Sequence, residues 1–338
     1  MPSEIPHVVS RPGWPVQSIV DPAFAKLGNR LVPPEKLKSG GFAFLGVPFE
    51  GMMINEVGGR GGPDGLRQAL SRLRAYSVDL DIDFTDTNGF SDLGDVDVEY
   101  MSYDTTFRRT ERAVKAALKR GFVPVIAGGS HSITEATMRA FSDFHGKNIG
   151  VVWFDGHPDF MDEYKGDKHY CGCPLRRLVE SGHVNPKKVA FFGLCGFANA
   201  AAEIRLGRKM GISFYTMEMF HDKGINACIE EAIEIAFDGT DAVYVTFDTD
   251  ALDHTFAPAT QYPRPGGFQA FETMRFVRRL GMAGAGAFDT AEYVPIIDTT
   301  RNTGNLLATL YCEFMAGRAY YDLRNGAAGK ARRPKRRR

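Results

Sequence analysis

The sequence lacks the features of a membrane protein and of a disulfide-stabilised secreted protein. No apolar stretch approaches the ~20 residues that span a bilayer, and the first residues, Met1–Arg11, lack the apolar core of a signal peptide. Cysteines are few, and their number, 5, is odd, which favours reduced thiols over a disulfide framework. We therefore expect a cytoplasmic protein that has no membrane partner.

The chain also lacks a nucleotide-phosphate motif and an excess of one charge. Its glycine-rich stretch, 57–64, contains neither G-x-G-x-x-G nor a Walker lysine. The formal net charge is zero, although most of residues 330–338 are Lys or Arg. A short basic end without aromatic residues is typical of a solvated tail. We expect no nucleic-acid partner, and nonspecific binding of phosphate backbones by this tail is the less favoured alternative.

Short apolar runs alternate with amphipathic segments of helical length along most of the chain. The predicted strands are 41–47, 89–96, 122–127, 149–154, 188–193, 212–216, 242–247 and 285–289. The predicted helices are 65–73, 104–120, 132–144, 174–181, 199–210, 226–237, 268–280 and 304–321. Because this alternation indicates a parallel sheet covered on both faces, we predict an α/β fold, a three-layer α/β/α sandwich with a central parallel sheet. Residues 1–40 would form an extended, proline-rich N-terminal arm, 41–322 one catalytic domain, and 323–338 a basic, disordered tail.

Polar residues follow four of these strands. His131 follows strand 122–127, and Asp155, His157 and Asp159 follow strand 149–154. Asp248, Asp250 and Asp253 follow strand 242–247, and Glu292 follows strand 285–289. In open α/β sheets the carboxyl ends of the strands form the ligand site. Carboxylates that converge there need compensating positive charge. The sequence therefore predicts a metal centre that holds more than one ion.

The types of ligand narrow the choice of ion. Imidazoles and carboxylates without a thiolate favour Mn, Ni, Co or Fe over a structural zinc. The Cys171–Cys173 pair has no second pair nearby and is the weaker metal candidate. Two divalent ions that share carboxylates make a nucleophile from water near neutral pH, which suits hydrolysis of an unreactive carbon.

Several motifs in the same order resemble the ureohydrolase family, the arginase and agmatinase group, from about residue 41 to 321. They are GGSHS at 128–132, DGHPD at 155–159, DTDALDH at 248–254 and AE at 291–292, with flanking GVPF at 46–49, GPDGLR at 62–67, DLGDV at 92–96 and PGG at 265–267.

The resemblance implies a site as well as a fold. One ion would be held by His131, Asp155, Asp159 and Asp248, and a second by Asp155, His157, Asp248 and Asp250. The ions would be Mn²⁺ first and Ni²⁺ second, and the hydroxide that bridges them would attack the guanidinium carbon of a small molecule. Glu292 would fix the guanidinium plane and Asp253 would orient a ligand or assist proton transfer. The products would be urea, or a substituted urea, and an amine. Family members are expected to form homotrimers or hexamers, and a hetero-oligomer with a paralogue stays open.

Departures from the family pattern bear on proton transfer. Ser130 replaces an acidic residue, and His254 stands where the family usually has proline. Cys171 occupies the position of a histidine thought to shuttle protons in agmatinase-like members, with His169 two residues earlier. The sequence leaves open whether His169 or Cys171 takes that role.

A further departure bears on the substrate. Tyr262 and Arg264 stand in a stretch that often reads Gly-Thr-Pro-Glu in the family. Arg264 would pair with the carboxylate of a guanidino acid, or Tyr262 and Arg264 would shrink the pocket toward a small alkylguanidine or biguanide. Agmatine is the alternative substrate. Two other classes compete: a single-zinc deacetylase of the same fold, and a catalytically silent partner subunit.

Overall fold

The computed structural model describes residues 5–9, 24–51 and 57–330. Its strands are β1 (Val8–Val9), β2 (Phe42–Val47), β3 (Tyr76–Ser77), β4 (Ile82–Asp83), β5 (Phe90–Val96), β6 (Val123–Gly128), β7 (Ile149–Phe154), β8 (Val189–Leu194), β9 (Ser213–Thr216), β10 (Ala242–Asp248) and β11 (Ala287–Ala291). Its α-helices are α1 (Gly62–Leu70), α2 (Tyr103–Lys119), α3 (Ile133–Phe144), α4 (Pro174–Glu180), α5 (Ala201–Met210), α6 (Met217–Lys223), α7 (Ile225–Phe237), α8 (Ala270–Met282) and α9 (Asn302–Lys330).

Nine of the strands form one sheet in the order β1-β5-β2-β6-β11-β10-β7-β8-β9. Its eight longer strands run parallel. Strands β2, β6, β7 and β8 are buried and apolar, as is typical of a parallel sheet covered on both faces. The short β1 was not predicted, and it pairs antiparallel with the edge strand β5. Part of the predicted N-terminal arm thus covers a sheet edge, and residues 1–4 and 10–23 of that arm lie outside the described residues.

Helices cover both faces of the sheet, as the α/β/α prediction requires. Alternate side chains of each strand enter two separate cores, so that Phe44 and Phe154 point to one face while Leu45 and Trp153 point to the other. The first core includes residues from α1 and α6–α9, and the second includes residues from α2–α5. The predicted three-layer sandwich is confirmed.

The structure differs from the sequence-based prediction in two helical segments. Helix α6 was missed because it has only 7 residues and follows β9 directly, where the Thr216 hydroxyl accepts a hydrogen bond from the N–H of Met219. Helix α9 continues through Lys330, so the predicted start of a disordered tail at residue 323 is wrong. Once a helix has formed, each added residue gains one hydrogen bond, so a formed helix extends more easily than a new one begins. Residues 331–338, which hold most of the basic tail, lie outside the described part of the chain.

Among the described residues, no helix is both long and apolar enough to cross a membrane. The five cysteines all lie in the described ranges, and none forms a disulfide.

Candidate metal centre

The sheet register brings the predicted polar residues to one rim. Strands β7 and β10 are neighbours in register, so Asp155 and Asp248 leave the sheet side by side. On the other side of β10 lies β11, with Ala291 opposite Asp248, and Glu292 follows it. Strand β6, which precedes the turn that carries His131, is next. Four segments that are distant in sequence therefore meet at the carboxyl ends of adjacent strands.

His131 stands at the centre of a first group of metal-ligand side chains. Its Nδ1 atom lies 3.1 Å from Asp155 Oδ2, 3.0 Å from Asp159 Oδ2 and 3.1 Å from Asp248 Oδ2. Ligand atoms of His131, Asp155 and Asp248 all lie within 4.8 Å of one another. Although both atoms are buried, His131 Nδ1 and Asp159 Oδ2 have no hydrogen-bond partner. Buried polar atoms without partners are rare, and these two face a common point.

A second group shares Asp155 with the first. It consists of Asp155, His157 and Asp250, and His157 Nδ1 lies 2.9 Å from Asp250 Oδ2 and 3.7 Å from Asp155 Oδ1. The two groups together include five of the six predicted metal ligands, and Asp159 is in contact with the first. This arrangement differs from the one three-residue group that a single-zinc deacetylase would need.

Hydrogen bonds hold the carboxylates in these positions. The Trp153 indole donates to Asp155 Oδ2 at 3.1 Å, and the His157 N–H donates to Asp155 Oδ1 at 2.6 Å. The Asp250 N–H donates to Asp248 Oδ1 at 2.8 Å, which closes a short turn after β10. Donors close in sequence therefore orient the carboxylates of Asp155 and Asp248.

The electrostatics of the cluster show an excess of negative charge. Burial, reinforced by the charge of a neighbouring aspartate, raises the pKa of Asp159 and of Asp248 well above the usual range. Burial opposes ionisation of Asp155 too, but its contacts with the two histidines lower its pKa. Burial disfavours a charged His131, yet the surrounding carboxylates raise its pKa well above the ordinary value. Protons and cations therefore compete for the same oxygens.

Glu292 lies beside the cluster in a left-handed backbone conformation, with φ 63°. Its Oε1 accepts a hydrogen bond from the His131 N–H at 2.6 Å, and its Oε2 accepts one from the Gln261 amide at 2.7 Å. Burial is the main cause that raises the pKa of Glu292 to about 7, and the His131 N–H opposes it. Strained backbone of this kind persists where the surroundings impose it, often at functional sites.

A cavity of about 210 Å³ opens above these residues. Besides members of the two ligand groups, its walls include Tyr170, Cys171, Glu203, Gln261, Tyr262 and Glu292. Cys171 is buried, and burial raises the pKa of its thiol well above the usual range. The thiol is therefore protonated at neutral pH.

His169 does not reach this cavity. Its Nδ1 lies 2.9 Å from Glu135 Oε2, and its ring packs against Tyr103 and Phe107. The sequence left open whether His169 or Cys171 takes the proton-shuttle position, and here the buried Glu135 carboxylate holds the His169 imidazole outside the cavity. Of the two candidates for the proton-shuttle position, the structure brings only Cys171 to the cavity.

Asp253 and Arg264 are also placed differently from the prediction. Asp253 Oδ1 accepts from the Thr255 N–H at 2.8 Å and Oδ2 from the Gly266 N–H at 2.7 Å, so this carboxylate shapes the loop and does not line the cavity. Arg264 neither lines the cavity nor points to solvent. Its Nη2 lies 3.1 Å from Asp250 Oδ1, behind the second ligand group.

Sequence reasoning missed several residues that the structure brings to the site. Thr246 and Asp289 are polar residues within buried strands. A polar residue at such a position indicates a buried hydrogen-bond partner, and this pattern was visible in the sequence. Gln261 directly precedes Tyr262 in the stretch already singled out. Glu203 is in the first turn of α5, several residues after β8 ends at Leu194, so no strand-end pattern points to it.

Comparison with known proteins identifies the family of the chain. A sequence model of the arginase family matches residues 41–317. The chain belongs to the arginase family. It is similar to the guanidinopropionase of Pseudomonas aeruginosa, at 32% identity over 296 residues, covering 87% of this chain and 90% of that protein. It is also similar to the mitochondrial agmatinase of Gallus gallus, at 32% identity over 276 residues, covering 81% and 79%.

Solved structures of arginase-family members show the same fold. The formimidoylglutamase of Bacillus subtilis superposes with a TM-score of 0.84 at 25% identity, covering 90% of this chain and 94% of that one. The agmatine ureohydrolase of Thermoplasma volcanium superposes with a TM-score of 0.75 at 28% identity, covering 84% and 91%. The predicted family and enzyme class, a hydrolase of C–N bonds in linear amidines, are confirmed. Family members depend on metal ions and are typically oligomers.

Proposed function

We propose that this arginase-family chain hydrolyses a guanidino compound to urea, or a substituted urea, and an amine, with two divalent ions bound in its centre. The observation that carries the proposal is the pair of ligand groups that share Asp155, whose other members line the cavity together with Glu292. A lone ion would leave one of the two groups unused. Mn²⁺ is our first candidate and Ni²⁺ our second, because the donors are imidazole and carboxylate.

The donor set fits such ions. His131, Asp155, Asp159 and Asp248 would hold the first ion, and Asp155, His157, Asp248 and Asp250 the second. His131 Nδ1 and Asp159 Oδ2, which have no hydrogen-bond partner, would each gain one in an ion. A pair of divalent ions supplies Lewis-acid activation of water near neutral pH.

The remaining cavity residues would position the substrate. Glu292 is the carboxylate next to the ligand groups whose two oxygens are already oriented by His131 and Gln261. A guanidinium presents its N–H donors in a plane that a carboxylate matches, so Glu292 would hold the carbon of the substrate over the centre. The Tyr262 ring, whose centroid is 5.2 Å from that of His157, would exclude water from one side.

The chemical class of the substrate tail depends on the residues around the rest of the cavity. A guanidino acid was predicted from Arg264, which instead contacts Asp250. The apolar faces of Tyr170 and Tyr262 support an alkylguanidine or biguanide, and the relatives named above include both a guanidinopropionase and an agmatinase.

Urea release is the direct test. Metal-free protein should be reloaded with Mn²⁺ or Ni²⁺ and supplied with agmatine, 4-guanidinobutyrate, 3-guanidinopropionate, arginine, guanidine and metformin. We expect urea or dimethylurea from at least one compound, and none from an Asp155→Ala variant. If the chain releases none from the panel alone but does so with a paralogue, it is the silent subunit of a hetero-oligomer. We regard a homo-oligomer, a trimer or hexamer, as the active form.

A further inference from the structure

The wall of the cavity contains a carboxylate that neither the ligand groups nor the guanidinium position uses. Glu203 lies in the first turn of α5 and is half-buried. It lines the same cavity as Met161, Tyr170 and Tyr262. A substrate whose guanidinium contacts Glu292 would extend its tail toward this wall.

Glu203 has no ion-pair partner within the part of the chain that the structure describes. The cations that influence it are His157 and Arg176, but Arg176 is paired with Glu180 at 2.8 Å and lies 3.4 Å from Asp162. Burial raises the pKa of Glu203, against the effect of the Phe160 N–H and these cations. A carboxylate that is partly removed from water without a counter-charge is a favourable site for a cation from a ligand.

The described lining of the cavity offers no Lys or Arg cation to a substrate carboxylate, and Arg264 is bound to Asp250. A carboxylate tail would lie near Glu203 and the aspartates with no compensating cation. Such like-charge repulsion discriminates between ligands as effectively as attraction does.

We propose that Glu203 is the specificity-determining residue of this site, and that it binds a second nitrogen-based cation at the far end of the guanidino substrate. The inference rests on the proposed function and deepens it. The preferred substrates carry a protonated amine or the second half of a biguanide. Compounds that end in a carboxylate are rejected. The rings of Tyr170 and Tyr262 would contact the methylene groups and the face of the cation.

Three compounds of similar length test this. Agmatine ends in an amine, 4-guanidinobutyrate in a carboxylate and 1-butylguanidine in a methyl group. In the Glu203→Gln variant of the metal-loaded full chain, kcat/KM for agmatine should fall about tenfold or more, since an interaction with a charged group is lost. The loss should be mainly in KM. The value for 4-guanidinobutyrate should rise, and that for butylguanidine should stay the same.

A matched control and a second measurement keep the result interpretable. Glu218 also lies in the first turn of a helix, α6, and is exposed, so Glu218→Gln should change none of the three values. Calorimetry with metal-free protein measures binding without turnover, and agmatine binding should weaken only in Glu203→Gln.

The possible failures are distinct. If wild-type protein hydrolyses none of the compounds used above, the proposed function fails and this inference fails with it. If wild-type protein hydrolyses one or more and Glu203→Gln leaves the ratio of agmatine to 4-guanidinobutyrate unchanged, only the role of Glu203 is overturned. A wild-type preference for 4-guanidinobutyrate would overturn it as well.

Discussion

The Nε2 atom of His131 lies 2.9 Å from Oγ1 of Thr246, whose hydroxyl donates in turn to the buried carboxylate of Asp289. Because the hydroxyl proton is committed to Asp289, the oxygen of Thr246 accepts the proton of His131 Nε2. In the neutral imidazole that would bind a metal ion, the lone pair then lies on Nδ1, which faces the aspartates. A carboxylate behind a histidine commonly fixes the tautomer of a metal ligand in this way.

The first prediction is that Thr246→Val weakens metal binding about 10- to 100-fold, as removal of such a partner usually does. Thr246→Ser should retain the affinity, because it keeps the hydroxyl. Competition with a chelator of known affinity measures the change. Thr137→Val is the matched control, since Thr137 also donates to Asp289 but does not touch His131. Equal losses in Thr246→Val and Thr137→Val would show that only the packing around Asp289 matters.

The second prediction concerns the number of ions. Wild-type protein should retain two divalent ions per chain after dialysis, counted by elemental analysis. His157→Ala should retain one, because the group around His131 is intact. Asp155→Ala should retain neither tightly, because Asp155 belongs to both groups. Removal of the ions with a chelator should lower the melting temperature of the wild type, since ligands of the native state stabilise it. A wild-type stoichiometry of one would contradict the two-ion centre.

The third prediction is that Arg264 does not contact the substrate. Arg264→Met removes the contact with Asp250 and should lower kcat/KM for all substrates alike. The ratio between agmatine and 4-guanidinobutyrate should stay within about twofold, because uniform effects do not discriminate. Steady-state kinetics with both compounds provide the measurement. A selective loss of 4-guanidinobutyrate hydrolysis would restore Arg264 as a partner of the substrate carboxylate.

The fourth prediction concerns pH and His169. The hydrogen bond to Glu135 raises the pKa of His169, although desolvation opposes it. A raised pKa in the folded state contributes stability that is fully present below the unfolded value of about 6.5 and is lost as pH rises through the folded value. Chemical denaturation should therefore show that His169→Gln destabilises the protein more at about pH 6 than at about pH 9. The difference should be below about 1 kcal/mol, because solvent screens a half-buried imidazole.

Two comparisons complete that test. The metal centre is common to wild type and variant, so its own pH dependence cancels in the difference. In a Glu135→Gln background the effect of His169→Gln should no longer depend on pH. An unchanged pH dependence there would mean that Glu135 is not the partner that matters.

The part of the centre that strand ends determine was predictable from sequence. Because parallel strands end at one rim, Asp155 and Asp248 could be expected at the same edge once their apolar runs were recognised as strands. That their strands are neighbours is known only from the structure. The parts that depend on loop conformation were not predictable. Asp253 follows a strand closely, yet the N–H groups of Thr255 and Gly266 take both of its oxygens.

Side-chain direction accounts for the other differences. His169 is two residues from Cys171, but Glu135 in α3 holds its imidazole outside the cavity. Arg264 was predicted to meet a substrate, but Asp250 is its partner. In each case the decisive residue is distant in sequence, and no local pattern reveals it.

The last prediction assigns Glu292 to the substrate rather than to the metal. Its oxygens contact the His131 N–H and the Gln261 amide, and it belongs to neither ligand group among the described residues. Glu292→Gln should therefore leave the number of bound ions unchanged. It should lower kcat/KM about 100-fold, since a guanidinium would lose two charge-assisted hydrogen bonds. Elemental analysis and kinetics on the same samples decide the matter, because loss of an ion together with activity would make Glu292 part of the metal centre.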